Sequence, residues 1–296
     1  MNLYILCFIL CAVSINCNSI SKKDMEESED VPTDYFESSF GKIAYYTEGK
    51  GPKLILLHAA GHDHHDFDSI MPTLTNKYEV IRIDWPGHGK SIWTSEKEIS
   101  AIYFPILLKE FLNKKAPEGS TLMGNSIGGF AAMKLSLDHP HLVKGLILID
   151  TGGMNELDFF SKTFIKLKSS PWFTSLVWNL FPRFYIKIEN THTIQILNRV
   201  KKSKFAPQAI ETNALLWKSF LDEKYNLRDK VSQIQKPTLI LWGKNDPVIY
   251  PKFGKDLNER ISNSELVLLE TGHIPFAEDP ERFLQFTFGF LAKYNL

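Results

Sequence analysis

Short apolar runs alternate with helix-like patterns along most of the chain, and this alternation limits the possible folds more than any other feature. We expect buried strands at Lys53–His58, Glu79–Asp84, Ser120–Met123, Leu142–Asp150, Thr238–Trp242 and Leu266–Leu269, with helices that include Ala101–Leu112, Ile127–Leu137 and Arg282–Tyr294. Strands that are separated by helices usually form a parallel sheet with helices on both faces. The sequence therefore predicts an α/β fold with a mostly parallel central sheet flanked by helices.

Length and charge indicate one domain. A chain of 296 residues with 44% apolar content can bury a single sizeable core. Lys plus Arg and Asp plus Glu are balanced at 34 each, so the molecule has no overall charge that would attract a polyanion. We predict one domain over residues 33–296 and no nucleic-acid partner.

The three cysteines, Cys7, Cys11 and Cys17, all precede the predicted domain. The domain therefore has no internal disulfide, no thiol nucleophile and no cysteine-ligated zinc. A nucleophile in this chain must be something other than sulfur.

The N-terminal segment has its own pattern. Leu3–Ile15 is almost entirely apolar, but it is shorter than the ~20 residues that a spanning helix needs. We predict that residues 1–18 form a signal peptide or a membrane anchor, with Cys17 as an alternative site of lipid attachment. The protein would then be exported (secreted or periplasmic) or membrane-anchored, and the charged residues 19–32 would form a polar tether.

Residues 151–235 interrupt the alternation of strands and helices. They contain long amphipathic stretches and no strand signal, and they lie between two predicted strands. We expect them to form a helical cap, inserted before the predicted strand Thr238–Trp242.

The most specific motif is Gly124-Asn125-Ser126-Ile127-Gly128, which follows a predicted strand and precedes a predicted helix. In a G-x-S-x-G motif the small flanking residues allow a sharp turn that exposes the serine hydroxyl. The following helix also directs its N-terminus towards developing negative charge. The motif predicts Ser126 as a nucleophile.

A serine nucleophile needs a base and an orienting carboxylate, and both follow in the sequence. Asp246 lies in the turn after the strand Thr238–Trp242, and His273 precedes the last helix. The order Ser, Asp, His is that of a triad on this type of sheet. Asp150, which ends another predicted strand, is the alternative acid.

These motifs together resemble those of the α/β-hydrolase superfamily, in its capped branch of esterases, lipases and carbon-carbon bond hydrolases. The matching segments are Leu56–Gly61, Asp84–Ser91, the turn at Ser126, Gly243–Asp246 and Gly272–His273. The resemblance implies an oxyanion hole formed by the backbone N–H groups of Ile127 and, by position, Ala60. One difference is His58-Ala59, where the family usually has His-Gly. A serine nucleophile also argues against dehalogenases and epoxide hydrolases, which use aspartate.

Several other polar residues have alternative interpretations. The cluster His62-Asp63-His64-His65-Asp66 has ligand-type residues, but Phe67 stands where the dinuclear His-x-His-x-Asp-His pattern needs another histidine. We expect no metal, and instead a solvated helix start that Asp63 or Asp66 caps. Asp84, His58 and His88 are interpreted as hydrogen-bonded structural residues.

The predicted cap is aromatic and basic. The candidates for the substrate pocket are Phe160, Phe164, Trp172 and Trp178, although cap aromatics can also pack only against one another. Residues 160–210 contain nine Lys or Arg, opposed only by Glu189. This composition favours contact with an anionic membrane surface, the alternative being a solvated face.

The sequence therefore predicts a cofactor-free serine hydrolase that cleaves carboxylic esters of small or medium apolar acyl groups through an acyl-enzyme. Two alternatives use the same triad, a carbon-carbon bond hydrolase and a cofactor-free perhydrolase. A third belongs to another class, a non-catalytic protein of the same fold that binds an apolar ligand.

Overall fold

The computed structural model describes residues 31–154 and 156–296. The predicted signal peptide or anchor (residues 1–18) and most of the predicted tether lie outside these ranges. Within the two ranges, no helix is both long enough and apolar enough to cross a bilayer. The first strand begins at Asp34, next to the predicted domain start.

A central nine-stranded sheet organises the molecule. Its strands are β1 (Asp34–Ser38), β2 (Gly41–Glu48), β3 (Lys53–Leu57), β4 (Glu79–Ile83), β5 (Ile92–Trp93), β6 (Ser120–Asn125), β7 (Val143–Ile149), β8 (Thr238–Gly243) and β9 (Ser264–Leu269). The strand order is β1-β2-β4-β3-β6-β7-β8-β9, and β5 pairs with β2. All pairs from β4 to β9 are parallel, whereas β1, β2 and β5 are antiparallel. The predicted fold class is confirmed.

The alternation of side chains along the parallel strands builds a core on each face of the sheet. Leu146 and Ile240 belong to one buried cluster, and their neighbours Ile147 and Leu239 belong to the other. Both faces are apolar because helices cover both, which explains the continuous apolar runs in the sequence. Each fully buried Leu or Ile contributes about 1.5–3 kcal/mol.

The helices fall into two groups. Those of the α/β core are α1 (Met71–Leu74), α2 (Phe104–Lys115), α3 (Ile127–Asp138), α9 (Pro251–Arg260), α10 (Pro275–Glu278) and α11 (Pro280–Lys293). Between β7 and β8 lie α4 (Phe159–Lys168), α5 (Pro171–Val177), α6 (Leu180–Tyr185), α7 (Thr191–Ser203) and α8 (Ala209–Ser219). We call residues 151–237 the helical insertion, and its described residues contain no strand.

The parallel topology brings the polar residues together at one edge of the sheet. Ser126, Asp150 and Asp246 each follow the carboxyl end of a strand, namely β6, β7 and β8. In sheets of this type ligands bind outside these carboxyl ends. His273 lies in the loop after β9, at the same edge.

Candidate active site

Ser126 occupies a strained turn between β6 and α3. Its φ of +54° is in a region that residues other than glycine rarely adopt. The turn is held by the backbone, because the Ser126 N–H donates to the Ile149 carbonyl (3.0 Å) and the Ser126 carbonyl accepts from Phe130 N–H (3.1 Å) and Gly152 N–H (3.0 Å). The side chain lies in the wall of a large cleft.

The two glycines of the motif are required by space. A Cβ atom at Gly124 would lie 2.4 Å from the carbonyl carbon of Gly128, and one at Gly128 would lie 2.2 Å from the Leu57 carbonyl oxygen. Both neighbouring atoms belong to the backbone and cannot move away, so neither position can hold a residue with a side chain. The strand and the helix approach each other this closely only because both residues lack a side chain.

His273 and Asp246 form a buried hydrogen-bonded pair. His273 Nδ1 lies 2.7 Å from Asp246 Oδ2, and the other oxygen of Asp246 accepts from the N–H groups of Val248 (2.7 Å) and Ile249 (3.2 Å). Since a carboxylate only accepts, the imidazole donates from Nδ1 and its Nε2 is left as an acceptor. His273 and Ser126 both line the cleft, so the structure brings the three predicted triad residues to one place.

Backbone contacts fix the loop that carries His273. The Asn125 side-chain amide donates to the His273 carbonyl (3.1 Å), and the His273 N–H donates to the Tyr185 carbonyl (3.1 Å). The buried Glu278 carboxylate accepts from Gly272 N–H (3.0 Å) and from Lys187 N–H (2.8 Å). The histidine loop is therefore attached both to the nucleophile turn and to the helical insertion.

Asp150, the alternative acid, lies beside this pair. One oxygen of Asp150, one of Asp246 and one ring nitrogen of His273 lie within 4.8 Å of one another. Asp150 is fully buried, and burial together with the neighbouring Asp246 raises its pKa well above the usual range. Its Oδ1 accepts from Gly243 N–H (2.8 Å), whereas the carboxyl that is hydrogen-bonded to His273 is that of Asp246.

A metal ion needs several ligand atoms close together. Among residues 31–154 and 156–296, the side chains that offer such a group are these same three residues, Asp150, Asp246 and His273. The direct hydrogen bond from His273 to Asp246 accounts for their closeness. The histidine cluster at residues 62–66 does not form such a group within those ranges.

The loop after β3 is held by two neutral histidines. His88 Nε2 accepts from Gly61 N–H (3.0 Å), and His58 Nε2 accepts from Trp85 N–H (2.9 Å). Burial, with the nearby His58, lowers the pKa of His88 to about 3. Gly61 has a φ of +81° and makes the turn, so Ala59 does not need the conformational freedom of the family's glycine.

The predicted oxyanion donors are placed by this loop and by the nucleophile turn. Ala60 lines the cleft with Ser126, and Ile127 opens α3 directly after it. The N–H groups of Gly61 and His62 are already used, by His88 Nε2 and by the Ala59 carbonyl. Among the described residues, the N–H groups of Ala60 and Ile127 donate no backbone hydrogen bond.

His62, His64 and Asp66 of the cluster at residues 62–66 are buried and Asp63 and His65 are half-buried, so the prediction of a solvated helix start is wrong. His62 Nδ1 donates to Asp66 Oδ1 (2.8 Å), and the Tyr185 hydroxyl lies 2.5 Å from His62 Nε2. The helical insertion covers this loop, which the sequence could not show because the contact spans 123 residues. The predicted N-cap of the short helix that begins at His64 is present, since the Asp63 side chain accepts from His65 N–H (3.1 Å).

Asp84 holds the same loop in place through hydrogen bonds, in agreement with its predicted structural role. One oxygen of Asp84 accepts from both the backbone N–H and the side-chain Nδ1 of His64, each at 2.9 Å. The other accepts from Lys90 N–H at 3.1 Å. The Asp84 carboxylate therefore joins two turns of the core.

The cleft lies between the helical insertion and the edge of the sheet, and it encloses about 1250 Å³ including its open mouth. The pocket candidate Phe164 is in its lining, and the lining also includes the aromatic residues Phe181, Tyr185, Trp217 and Phe220. These side chains contact one another, for example Phe181 and Trp217 with ring centroids 5.3 Å apart. They form an aromatic wall of the cleft, in which Tyr185 lies beside His273 with ring centroids 5.5 Å apart.

The other three pocket candidates, Phe160, Trp172 and Trp178, are absent from the lining of this cleft, so the prediction is wrong for them here. Phe160 and Trp172 are 43% and 71% exposed, on the outer face of the insertion. Trp178 is buried and donates from Nε1 to the Val200 carbonyl (2.6 Å); it is absent from the lining of the cleft that contains Ser126, but it borders a smaller cavity next to that cleft. The amphipathic pattern shows that each helix has an apolar face, but not which neighbour that face meets.

The sheet order and the turn at Ser126 define an α/β-hydrolase. The sequence pattern of the alpha/beta hydrolase fold family matches residues 52–280, and the chain therefore belongs to this family. The resemblance predicted from the motifs is confirmed.

Individual relatives support this assignment. A pyrrolizixenacetamide deacetylase of Xenorhabdus hominickii is 26% identical over 265 residues, which cover 86% of this chain and 96% of that protein. A pimeloyl-[acyl-carrier protein] methyl ester esterase of Aeromonas hydrophila is 29% identical over 255 residues, covering 80% and 94%. The crystal structure of a membrane phospholipase A superposes with a TM-score of 0.76 at 22% identity, covering 88% and 86%, and shows similarity of fold.

Proposed function

We propose that the protein is a serine esterase with Ser126 as nucleophile, His273 as base and Asp246 as orienting acid. The observation that carries this proposal is the 2.7 Å hydrogen bond between His273 and Asp246, with His273 and Ser126 in the wall of one cleft. The curated relatives named esterase and deacetylase support ester hydrolysis over carbon-carbon cleavage or perhydrolysis. A ligand-binding shell would have no need of the complete set of three residues.

The reaction follows from the hydrogen-bond directions. His273 Nε2 accepts the Ser126 proton as Oγ attacks the ester carbonyl, and Asp246 stabilises the imidazolium that forms. The N–H groups of Ala60 and Ile127 hold the oxyanion, and their lack of backbone acceptors among the described residues supports this role. His273 then protonates the leaving alcohol, and a water activated by His273 releases the acid and restores Ser126.

The cleft favours an apolar acyl group of small or medium size. Its wall is formed by the aromatic side chains of the helical insertion, which we propose acts as a cap over the catalytic edge. Trp217 is the largest of these side chains and also contacts Phe164 and Phe220. Its position predicts that Trp217 limits the length of the acyl chain.

Substitution of Trp217 should change this chain-length preference. We expect wild-type enzyme to turn over p-nitrophenyl esters best at short to medium chain length, and Trp217→Ala to move the optimum to longer chains because it opens the wall. Trp172→Ala is the matched control, since Trp172 is 71% exposed. An identical profile in wild type and Trp217→Ala would contradict the assignment of the acyl pocket.

We also propose that the outer face of the insertion contacts an anionic membrane surface. Phe159 and Trp172 are 76% and 71% exposed on the neighbouring helices α4 and α5. Lys162 and Lys166 are exposed on α4, one turn apart. Exposed aromatic side chains beside lysines match the headgroup region of an anionic bilayer. Export or anchoring through residues 1–18 stays a prediction.

Vesicle binding tests this surface. We expect the full chain to bind vesicles that contain phosphatidylserine more tightly than pure phosphatidylcholine vesicles, and Phe159→Ser with Trp172→Ser to weaken the binding several-fold. Ile106→Ser is the control, because Ile106 is an exposed apolar residue on α2 of the core. Equal binding by the double variant and the control would assign any membrane affinity to another part of the chain.

A further inference from the structure

A buried lysine lies behind the aromatic wall of the cleft. Lys168, in the last turn of α4, is only 3% exposed. Its Nζ donates to the Asn213 side-chain oxygen (3.1 Å) and lies over the rings of Phe181 (5.3 Å) and Trp217 (5.6 Å). Among the described residues, no carboxylate is within ion-pairing distance of Nζ. An ammonium group with only neutral partners is an unusual occupant of a protein interior.

Lys168 also borders a small cavity that adjoins the catalytic cleft. This cavity encloses about 310 Å³ with its openings. It shares five lining residues with the cleft: Ala60, His62, Phe181, Tyr185 and Trp217. The two spaces therefore lie next to each other, with Phe181 and Trp217 in the wall of both.

The position of the cavity indicates which part of an ester would enter it. The leaving alcohol must lie near His273, which protonates it, whereas the cavity borders Ala60 and Gly61 and includes neither His273 nor Ser126 in its lining. The acyl chain leaves the carbonyl carbon in a different direction from the alcohol oxygen, so it is the part of the ester that we place on the side of this cavity. The far end of an acyl chain would thus approach Lys168.

The charge of Lys168 favours an anionic group at that end. Burial lowers the pKa of Lys168 to about 7, because the surroundings offer no negative charge that would favour the ammonium. A carboxylate brought next to Nζ would provide this charge and a charge-assisted hydrogen bond. A methyl group in the same place would leave the ammonium with its neutral partners alone.

We propose that Lys168 binds a carboxylate at the far end of the acyl chain, so that the substrate is a half-ester of a dicarboxylic acid. The inference rests on the proposed function, because Ser126 must cleave the ester. The reaction consumes one water and yields the dicarboxylate, the alcohol and a proton. A class of reaction that esterifies one carboxyl group of a diacid must supply such a substrate.

A purely structural role of Lys168 makes a different prediction. Asn213 packs against the turn before His62, since a Cβ at Gly61 would lie 2.7 Å from the Asn213 amide nitrogen. If Lys168 only orients Asn213, its loss would disturb the oxyanion loop and impair all esters alike. A carboxylate site affects charged and neutral esters differently.

The test compares methyl half-esters of dicarboxylic acids with methyl esters of monocarboxylic acids of the same chain length. We expect wild type to prefer the half-ester by about 10- to 100-fold in kcat/KM at the best length, the effect of one hydrogen bond to a charged group. Lys168→Met should remove this preference and keep turnover of the neutral ester within a few-fold. Lys166→Met, an exposed lysine on the same helix, should keep it.

Two results would overturn the proposal: wild type that prefers the neutral ester at every chain length, or Lys168→Met that lowers both substrates equally. The first needs no variant, so misfolding of Lys168→Met cannot hide it. Failure of the proposed function has a separate signature, because folded wild type would then hydrolyse neither class of ester.

Discussion

Ser126→Ala is expected to lower kcat for ester hydrolysis by about 10³- to 10⁶-fold, the range seen when a triad serine is removed. The variant lacks the atom that attacks the carbonyl, and the oxyanion donors alone leave a small residual rate. Alanine keeps the backbone hydrogen bonds of the turn to Ile149, Phe130 and Gly152. The thermal midpoint should therefore stay near that of wild type while turnover of a p-nitrophenyl ester is lost.

Ser161→Ala is the matched control for this experiment. Ser161 lies in the wall of the same cleft but on the helical insertion, away from the nucleophile turn. Its loss should change KM at most. If Ser161→Ala and Ser126→Ala had equal effects, or if Ser126→Ala kept most of the wild-type kcat, Ser126 would not be the nucleophile.

Asp246→Asn is expected to lower kcat by about 10⁴-fold, the effect of this change in a Ser-His-Asp triad. The Asp246 carboxylate contacts His273 at 2.7 Å and would stabilise the imidazolium. Asparagine can keep the hydrogen bonds from Val248 and Ile249, so the turn should survive. Steady-state kinetics with a soluble ester, together with a melting curve, would separate loss of catalysis from loss of fold.

Asp150→Asn tests the alternative acid on the same sheet edge. Burial and the neighbouring Asp246 raise the pKa of Asp150 and so favour its protonated form, and asparagine has nearly the same shape and can still accept from Gly243 N–H. We expect kcat to fall by less than about tenfold, because the carboxylate that contacts His273 is that of Asp246. A loss as large as that of Asp246→Asn would make Asp150 the acid.

The raised pKa of Asp150 also predicts a direction for stability. In the unfolded chain Asp150 ionises near its usual pKa of 3.8, whereas in the folded protein it holds its proton to higher pH. The wild type therefore loses stability as the pH rises above that value, and Asp150→Asn removes this loss. At neutral pH the free energy of unfolding of Asp150→Asn should equal or exceed that of wild type.

The parallel core was predictable from sequence because both faces of its strands are buried. β7 and β8 contain the uninterrupted apolar runs Leu146–Ile149 and Leu239–Trp242, and Gly124 to Gly128 mark the turn between β6 and α3. The strands β1, β2 and β5 were not predicted. They lie on the antiparallel side of the sheet, where exposed residues such as Tyr35 and Ile92 break the apolar pattern.

Some residues of the site were also predictable from the sequence, and others were not. Ser126, Asp246 and His273 follow strand ends, so their meeting point is a consequence of the parallel order. The contacts of Lys168 and His62 depend instead on how the helical insertion lies over the core, and they join residues far apart in the chain. Composition identified the insertion as aromatic and basic but not which side chains face the cleft.

Covalent labelling with a fluorophosphonate, followed by peptide mass mapping, tests the central claim most directly. The probe reacts with an activated serine, so we expect one adduct on the peptide that contains Ser126 and none in Ser126→Ala. An adduct on another serine, or no adduct on well-folded wild type, would contradict the account, and the second result would favour a non-catalytic ligand-binding protein.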